Sequence, residues 1–176
     1  MKDGKFPYLN TEFFRLIILL RVLGEIVVLT DEVKKSMDES VLCWLATVSG
    51  DGIPNVSPKE MFIHHEENKV LIANIASPQS AKNVVSNPNV CVSFVHVFKQ
   101  KGFKLTGMAR VVDRSKPEYQ IFEDRLYTLG GRDFKFRSIF EVSVNAVSKI
   151  LAPSYLLFPQ TTEIVQIEQA KKTYGI

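Results

Sequence analysis

The sequence predicts a mainly β protein with peripheral helices, a six-stranded antiparallel barrel in one domain, and three observations carry that expectation. Six short apolar or alternating runs recur, at 41–48, 53–64, 69–75, 90–97, 103–112 and 136–146. Turn signals such as Ser49-Gly50-Asp51-Gly52 join most of them, which favours hairpins over the long crossovers of a parallel sheet. The composition of the 176 residues, 45% hydrophobic and 23% charged, is that of an ordinary globular domain rather than a disordered chain.

Along the chain, residues 1–30 form an apolar extension and residues 31–176 the domain proper. Arg15, Arg21 and Glu25 interrupt the apolar stretch 13–29, so no uncharged span reaches the ~20 residues of a membrane helix. No small-residue cleavage site follows it, so a secretory signal fits poorly. The plain reading is a helix packed on the domain or on a partner subunit. A sharper one makes the extension non-native: Gly24-Glu25 can be encoded by a purine-rich ribosome-binding stretch, with Val27 or Val28 as a GUG start. The first peptide of the natural protein, read by mass spectrometry, decides between them.

Thr30 before Asp31-Glu32 starts a short helix, with acids at the positive end of its dipole. The unbroken apolar run 41–48 implies a strand buried on both faces. Pro54 and Pro58 place the next strand at an edge or at a bulge, because proline cannot donate to a ladder. Alternation there sets Asn55, Ser57, Lys59 and Met61 on one face, opposite Val56, Glu60 and Phe62. A helix over 78–87 follows the third strand, with Ala81, Val84 and Val85 as its buried stripe, and it stops before Pro88. Ser115 opens a helix to about Leu129, and a final helix runs from about Thr162 to a C-cap at Gly175.

Several function classes fit poorly. A net charge of +3 suits a small anionic ligand and lacks the concentrated basic face of a nucleic-acid binder. Lys99, Lys101 and Lys104 read as a solvated turn without stacking aromatics. Adjacent His64 and His65 point to opposite faces of a strand and cannot share a metal ion. Cys43 and Cys91, each inside an apolar run, read as buried, reduced thiols of a cytoplasmic protein, with a bridge between them as the alternative the sequence leaves open. Trp44, Phe94, Phe98, Phe103 and Met61 read as core.

The informative stretch is the corner Ser77-Pro78-Gln79-Ser80-Ala81-Lys82. Ser77 is a good N-cap and Pro78 a good first helical residue, which ordinary capping explains. A helix N-terminus also attracts anions, and here hydroxyls, an amide and a lysine surround it. A phosphate monoester, close to dianionic at neutral pH, gains from each of these groups. Ser57 and Lys59 are placed to approach from the neighbouring strand.

In their order along the chain, CWLATVSGDGIPNVSPKEMFI, VLIANIASPQSAKNVVSNPNVCVSF and FKLTGMARVV resemble the flavin-binding split-barrel family, the pyridoxamine 5′-phosphate oxidase-like proteins, over roughly 35–150. The resemblance implies a Greek-key split barrel, a homodimer, and FMN in the cleft between subunits. Asn55, Val56, Ser57 and Lys59 would then run beside the flavin ring and ribityl chain, followed by Ala73 and Asn74. Ser77, Gln79, Ser80 and Lys82 would hold the phosphate, with Lys82 as its main charge.

The departures matter too. Gln79 and Ser80 stand where true pyridoxamine phosphate oxidases have an Arg-Lys pair, and Gly102 stands where they have glutamine. The C-terminal tryptophan and arginine segment is replaced by an unrelated tail. The resemblance therefore implies a flavin-dependent oxidoreductase whose substrate is not vitamin B6, with reduced nicotinamide as a candidate donor. The alternative is a non-catalytic module or electron carrier that binds FMN, haem or a deazaflavin.

Overall fold

The computed structural model describes residues 29–176. The expectations for the N-terminal extension lie outside them, except at its last two residues. The order of elements is α1 (Asp31–Asp38), β1 (Cys43–Val48), β2 (Pro54–Lys59), β3 (Phe62–His65), β4 (Lys69–Asn74), α2 (Pro78–Ser86), β5 (Asn89–His96), β6 (Lys101–Asp113), α3 (Tyr119–Gly130), β7 (Ser138–Leu151), α4 (Pro153–Leu157) and α5 (Glu163–Tyr174).

The strands form one antiparallel sheet in the order β2-β1-β5-β6-β7-β4-β3. Seven strands replace the predicted six because the run 53–64 breaks at Glu60-Met61. Its first half pairs with β1 and its second with β4, so one short stretch of chain supplies both edges of the sheet and curls it into a split barrel. Pro54 and Pro58 lie in β2, the edge strand, where a missing donor costs no ladder bond.

Two apolar cores result. The barrel interior is filled by Leu45, Phe62, Ile72, Val92, Phe94, Leu105, Phe140 and Val142, with Leu29, Val33 and Met37 of the α1 region joined to it. A second cluster lies between the sheet and α3, where Phe122 and Leu126 meet Leu71, Val112 and Ile139. This second layer is why Ile139 and Glu141, opposite Phe140 and Val142 in the alternation of β7, are buried as well. At ~25 cal/mol per Å2, each fully buried Leu or Phe side chain contributes on the order of 1.5–3 kcal/mol.

Several local expectations change. β1 is open on one side: Trp44 is 45% exposed, because no helix of the described residues covers that face. Phe94, Phe103 and Met61 are core, as read from the sequence. In α2 the buried stripe is Ser80, Asn83 and Val84, while Val85 is 80% exposed. The third helix starts at Tyr119 rather than Ser115, whose backbone N–H and hydroxyl both donate to the Asp113 carboxylate in a turn. The final helix keeps its predicted ends: the Thr162 hydroxyl accepts from the Val165 N–H, and Gly175 caps it in the left-handed conformation. Cys43 is buried and Cys91 half-buried, both as free thiols, and burial pushes Cys43 up to about 12. No helix among the described residues is long and apolar enough to cross a membrane.

Candidate functional site

β2 and the N-terminus of α2 meet at one edge of the barrel because β1 pairs with β2 in the sheet while α2 packs across both strands. The alternation of β2 turns Asn55, Ser57 and Lys59 inward and leaves Pro54, Val56 and Pro58 exposed. Ser57 and Lys59 therefore reach the helix corner, as the pattern suggested. The Lys59 ammonium donates to the Ser77 hydroxyl and, at 3.3 Å, to the Pro58 carbonyl. The Ser57 and Ser80 hydroxyls are 3.0 Å apart.

Ser77 stands at the N-cap position of α2 but its side chain caps nothing. The hydroxyl faces Lys59 instead, and its backbone N–H donates to the Asn74 side-chain oxygen at 3.2 Å. Asn74 is itself held by β7, donating to Ser138 Oγ at 3.0 Å. Behind the corner lies a polar network whose Thr47, Ser80 and Asn83 are each 1% exposed. Asn55 and Asn83 both donate to Thr47 Oγ1 at 3.1 Å, and the Gln79 amide donates to Asn83 Oδ1 at 2.7 Å.

In front of the corner opens a cleft of about 340 Å3, lined by Val56, Ser57, Lys59, Ala73, Ser77 and their neighbours Pro58, Glu60, Met61, Ile75 and Ala76. Of the ten residues singled out in the sequence, five line this cleft. Asn55, Asn74, Gln79 and Ser80 stand behind or beside it in the hydrogen-bond network. Lys82 is apart from both, exposed on α2; the Asp51 carboxyl of the β1–β2 turn is held below its usual value first by the Ser49 hydroxyl and only in smaller part by the Lys82 charge.

Lys59 is thus the cation of the site. It is 6% exposed, and burial pushes its ammonium below the usual lysine value, with Cys43 acting in the opposite direction. No carboxylate pairs with it among the described residues. A buried ammonium that donates to a hydroxyl and a carbonyl but meets no counter-charge among the described residues is costly in the free protein and is relieved by an anion. Asn83 is the network residue that the sequence reading leaves out: it is buried, and only its spacing of three from Ser80 marks it as sharing that face.

The buried Lys59 ammonium makes stability depend on pH. The unfolded chain binds this proton more tightly between the lowered folded value and about 10.5, so stability from this group rises with pH across that window. An anion that holds the ammonium charged flattens the rise. Thermal unfolding followed from pH 8 to 10.5 should show it in the free protein and lose it in Lys59→Met. Equal slopes in the two proteins would contradict a lowered value.

Comparison with known proteins agrees with this architecture. The pyridoxamine 5′-phosphate oxidase family profile matches residues 29–150. The uncharacterized protein MJ0282 of Methanocaldococcus jannaschii is 34% identical over 70 residues, covering 39% of this chain and 46% of that protein. The chain thus matches less than half the length of that curated relative. An FMN-binding protein of Syntrophomonas wolfei superposes with a TM-score of 0.59 at 11% identity, over 81% of this chain and 97% of that one. HutZ, the haem storage protein of Vibrio cholerae, does so at 0.55 and 22% identity, over 70% and 94%. At these identities the two structures share the fold alone. With a split barrel in place and the profile spanning more than half of its residues, the chain belongs to the pyridoxamine 5′-phosphate oxidase-like family.

Proposed function

We propose that the protein binds FMN, with the phosphate at Lys59, Ser57 and Ser77 and the ring along β2, and that it is a flavin-dependent oxidoreductase. The observation that carries this reading is the buried Lys59 ammonium, which donates to the Ser77 hydroxyl and has no carboxylate partner among the described residues. The donors fit a phosphate monoester: one full charge, hydroxyls on two sides, and the N-terminus of α2 beside them. Val56, Ala73 and Ile75 give the adjoining wall the apolar character a flat ring requires. Support for a homodimer with the cofactor between subunits comes from the exposed apolar side chains on the open sheet face and its edge, Trp44, Val56 and Met108, at 45–58% exposure.

When bound, FMN supplies the redox chemistry, accepting and donating electrons or hydride. The protein's part is to position the cofactor and to set its electrostatics. Lys59 and Glu60 are the two titratable side chains lining the cleft, and Glu60 is exposed at its rim. That sparseness fits hydride transfer from a reduced nicotinamide, which needs no general base in the protein. It equally favours a second reading, an electron carrier or binding module with no dedicated organic substrate.

Titration of the purified protein with FMN and with riboflavin, followed by flavin fluorescence, tests the site. FMN should bind at least tenfold more tightly. Equal affinities, or haem bound with a Soret band in preference to flavin, would overturn the reading. Steady-state turnover with reduced nicotinamides and a range of acceptors separates the enzyme from the carrier.

A further inference from the structure

The buried network behind the corner sets the direction of the hydrogen bond between Ser80 and Ser57 at the cleft wall. Asn55 has two amide protons, and both are placed: one goes to Thr47 Oγ1 and the other to Ser80 Oγ, each at 3.1 Å. Its rotation is fixed from below, because Thr47 Oγ1 also accepts from Asn83, which in turn accepts from Gln79. Ser80 thus receives a proton from Asn55. At 1% exposure its own proton has no water to meet and needs an acceptor within the protein. The acceptor within reach is Ser57 Oγ, at 3.0 Å. Once Ser57 accepts from Ser80, its own proton turns to the cleft that it lines.

From this ordering we infer that Thr47, Asn55, Ser80 and Asn83 are positioning residues that fix Ser57 as a hydrogen-bond donor to an anionic oxygen in the cleft. The inference rests on the FMN reading for the identity of that anion, a phosphate monoester. It assigns Ser80 a different task from contact with the ligand: Ser80 is walled off from solvent and acts through Ser57. A serine left to rotate would present a lone pair to the phosphate part of the time, which is repulsive. The network removes that option before the ligand arrives, so the donor is preorganised.

The test is a double-mutant cycle read as the ratio of FMN to riboflavin affinity, which cancels effects on ring binding and on overall stability. Ser57→Ala and Ser80→Ala should each lower the ratio roughly tenfold, the worth of one hydrogen bond to a charged group. In the Ser57→Ala background Ser80→Ala should then lower it no further. Additive losses would overturn the relay, since Ser80 would then contact the phosphate directly or act only on stability. If Ser80→Ala fails to fold, Asn55→Ala takes its place in the same cycle, with the same two outcomes. A wild-type protein that binds FMN and riboflavin equally removes the proposed function itself. A wild type that prefers FMN, with additive variants, removes only the relay.

Discussion

Replacing Lys59 with methionine is expected to weaken FMN binding by about 1.5–3 kcal/mol, or roughly 10- to 150-fold, and to leave riboflavin binding nearly unchanged. The methionine keeps most of the volume and the apolar stem, so the change isolates the charge. The free protein should at the same time melt at a higher temperature, because a buried ammonium without a counter-charge among the described residues is gone. Loss of ligand affinity with gain of stability is the signature of a charge held for binding rather than for folding. Lys82→Ala is the natural companion: Lys82 is exposed and does not line the cleft, so its loss should change FMN affinity less than about fivefold. Isothermal titration of both variants checks the pair. An unchanged FMN affinity in Lys59→Met, or a larger loss in Lys82→Ala, would place the phosphate elsewhere.

The contrast between the two lysines shows how far the sequence reached. Ser77-Pro78 was legible as a helix start because capping chemistry is local, and the alternation of 54–59 put Ser57 and Lys59 on the face that meets it. What local pattern could not supply was which lysine the fold turns inward. That depends on β2 lying beside α2, a pairing set by β1 between strands far apart in sequence. The stripe of α2 was misread for the same reason: Thr47 and Asn55 offer polar partners, so the helix buries Ser80 and Asn83 and leaves Val85 in solvent. Trp44 shows the converse. An apolar run records that a strand can be buried on both faces, whereas layers elsewhere in the fold decide whether it is. Pro58 signalled an irregular strand, and the exact break at Glu60-Met61 came from the demand that both sheet edges pair with different neighbours.

Gly102→Ala should cost about 3 kcal/mol or more and lower the melting temperature by roughly 6–12 °C. Gly102 is buried at the start of β6, paired with Val95 across the ladder, where the chain has just turned back from β5. A Cβ added there would lie 1.9 Å from the Phe94 carbonyl oxygen and 2.8 Å from the Val95 Cα. Both are backbone atoms of a central strand, so no rotamer change relieves the contact and β5 itself must move. That movement would carry Phe94, a 1%-exposed core side chain packed against Phe62 and Phe103. Gly50→Ala is the control: its added Cβ would meet Ser86 Cβ at 3.6 Å, an ordinary contact, and stability should change by less than about 1 kcal/mol. With β5 and β1 between Gly102 and Lys59 in the sheet, the variant should still bind FMN at temperatures where it stays folded. A Gly102→Ala protein as stable as wild type would mean that the β5 and β6 backbones do not approach so closely at this position.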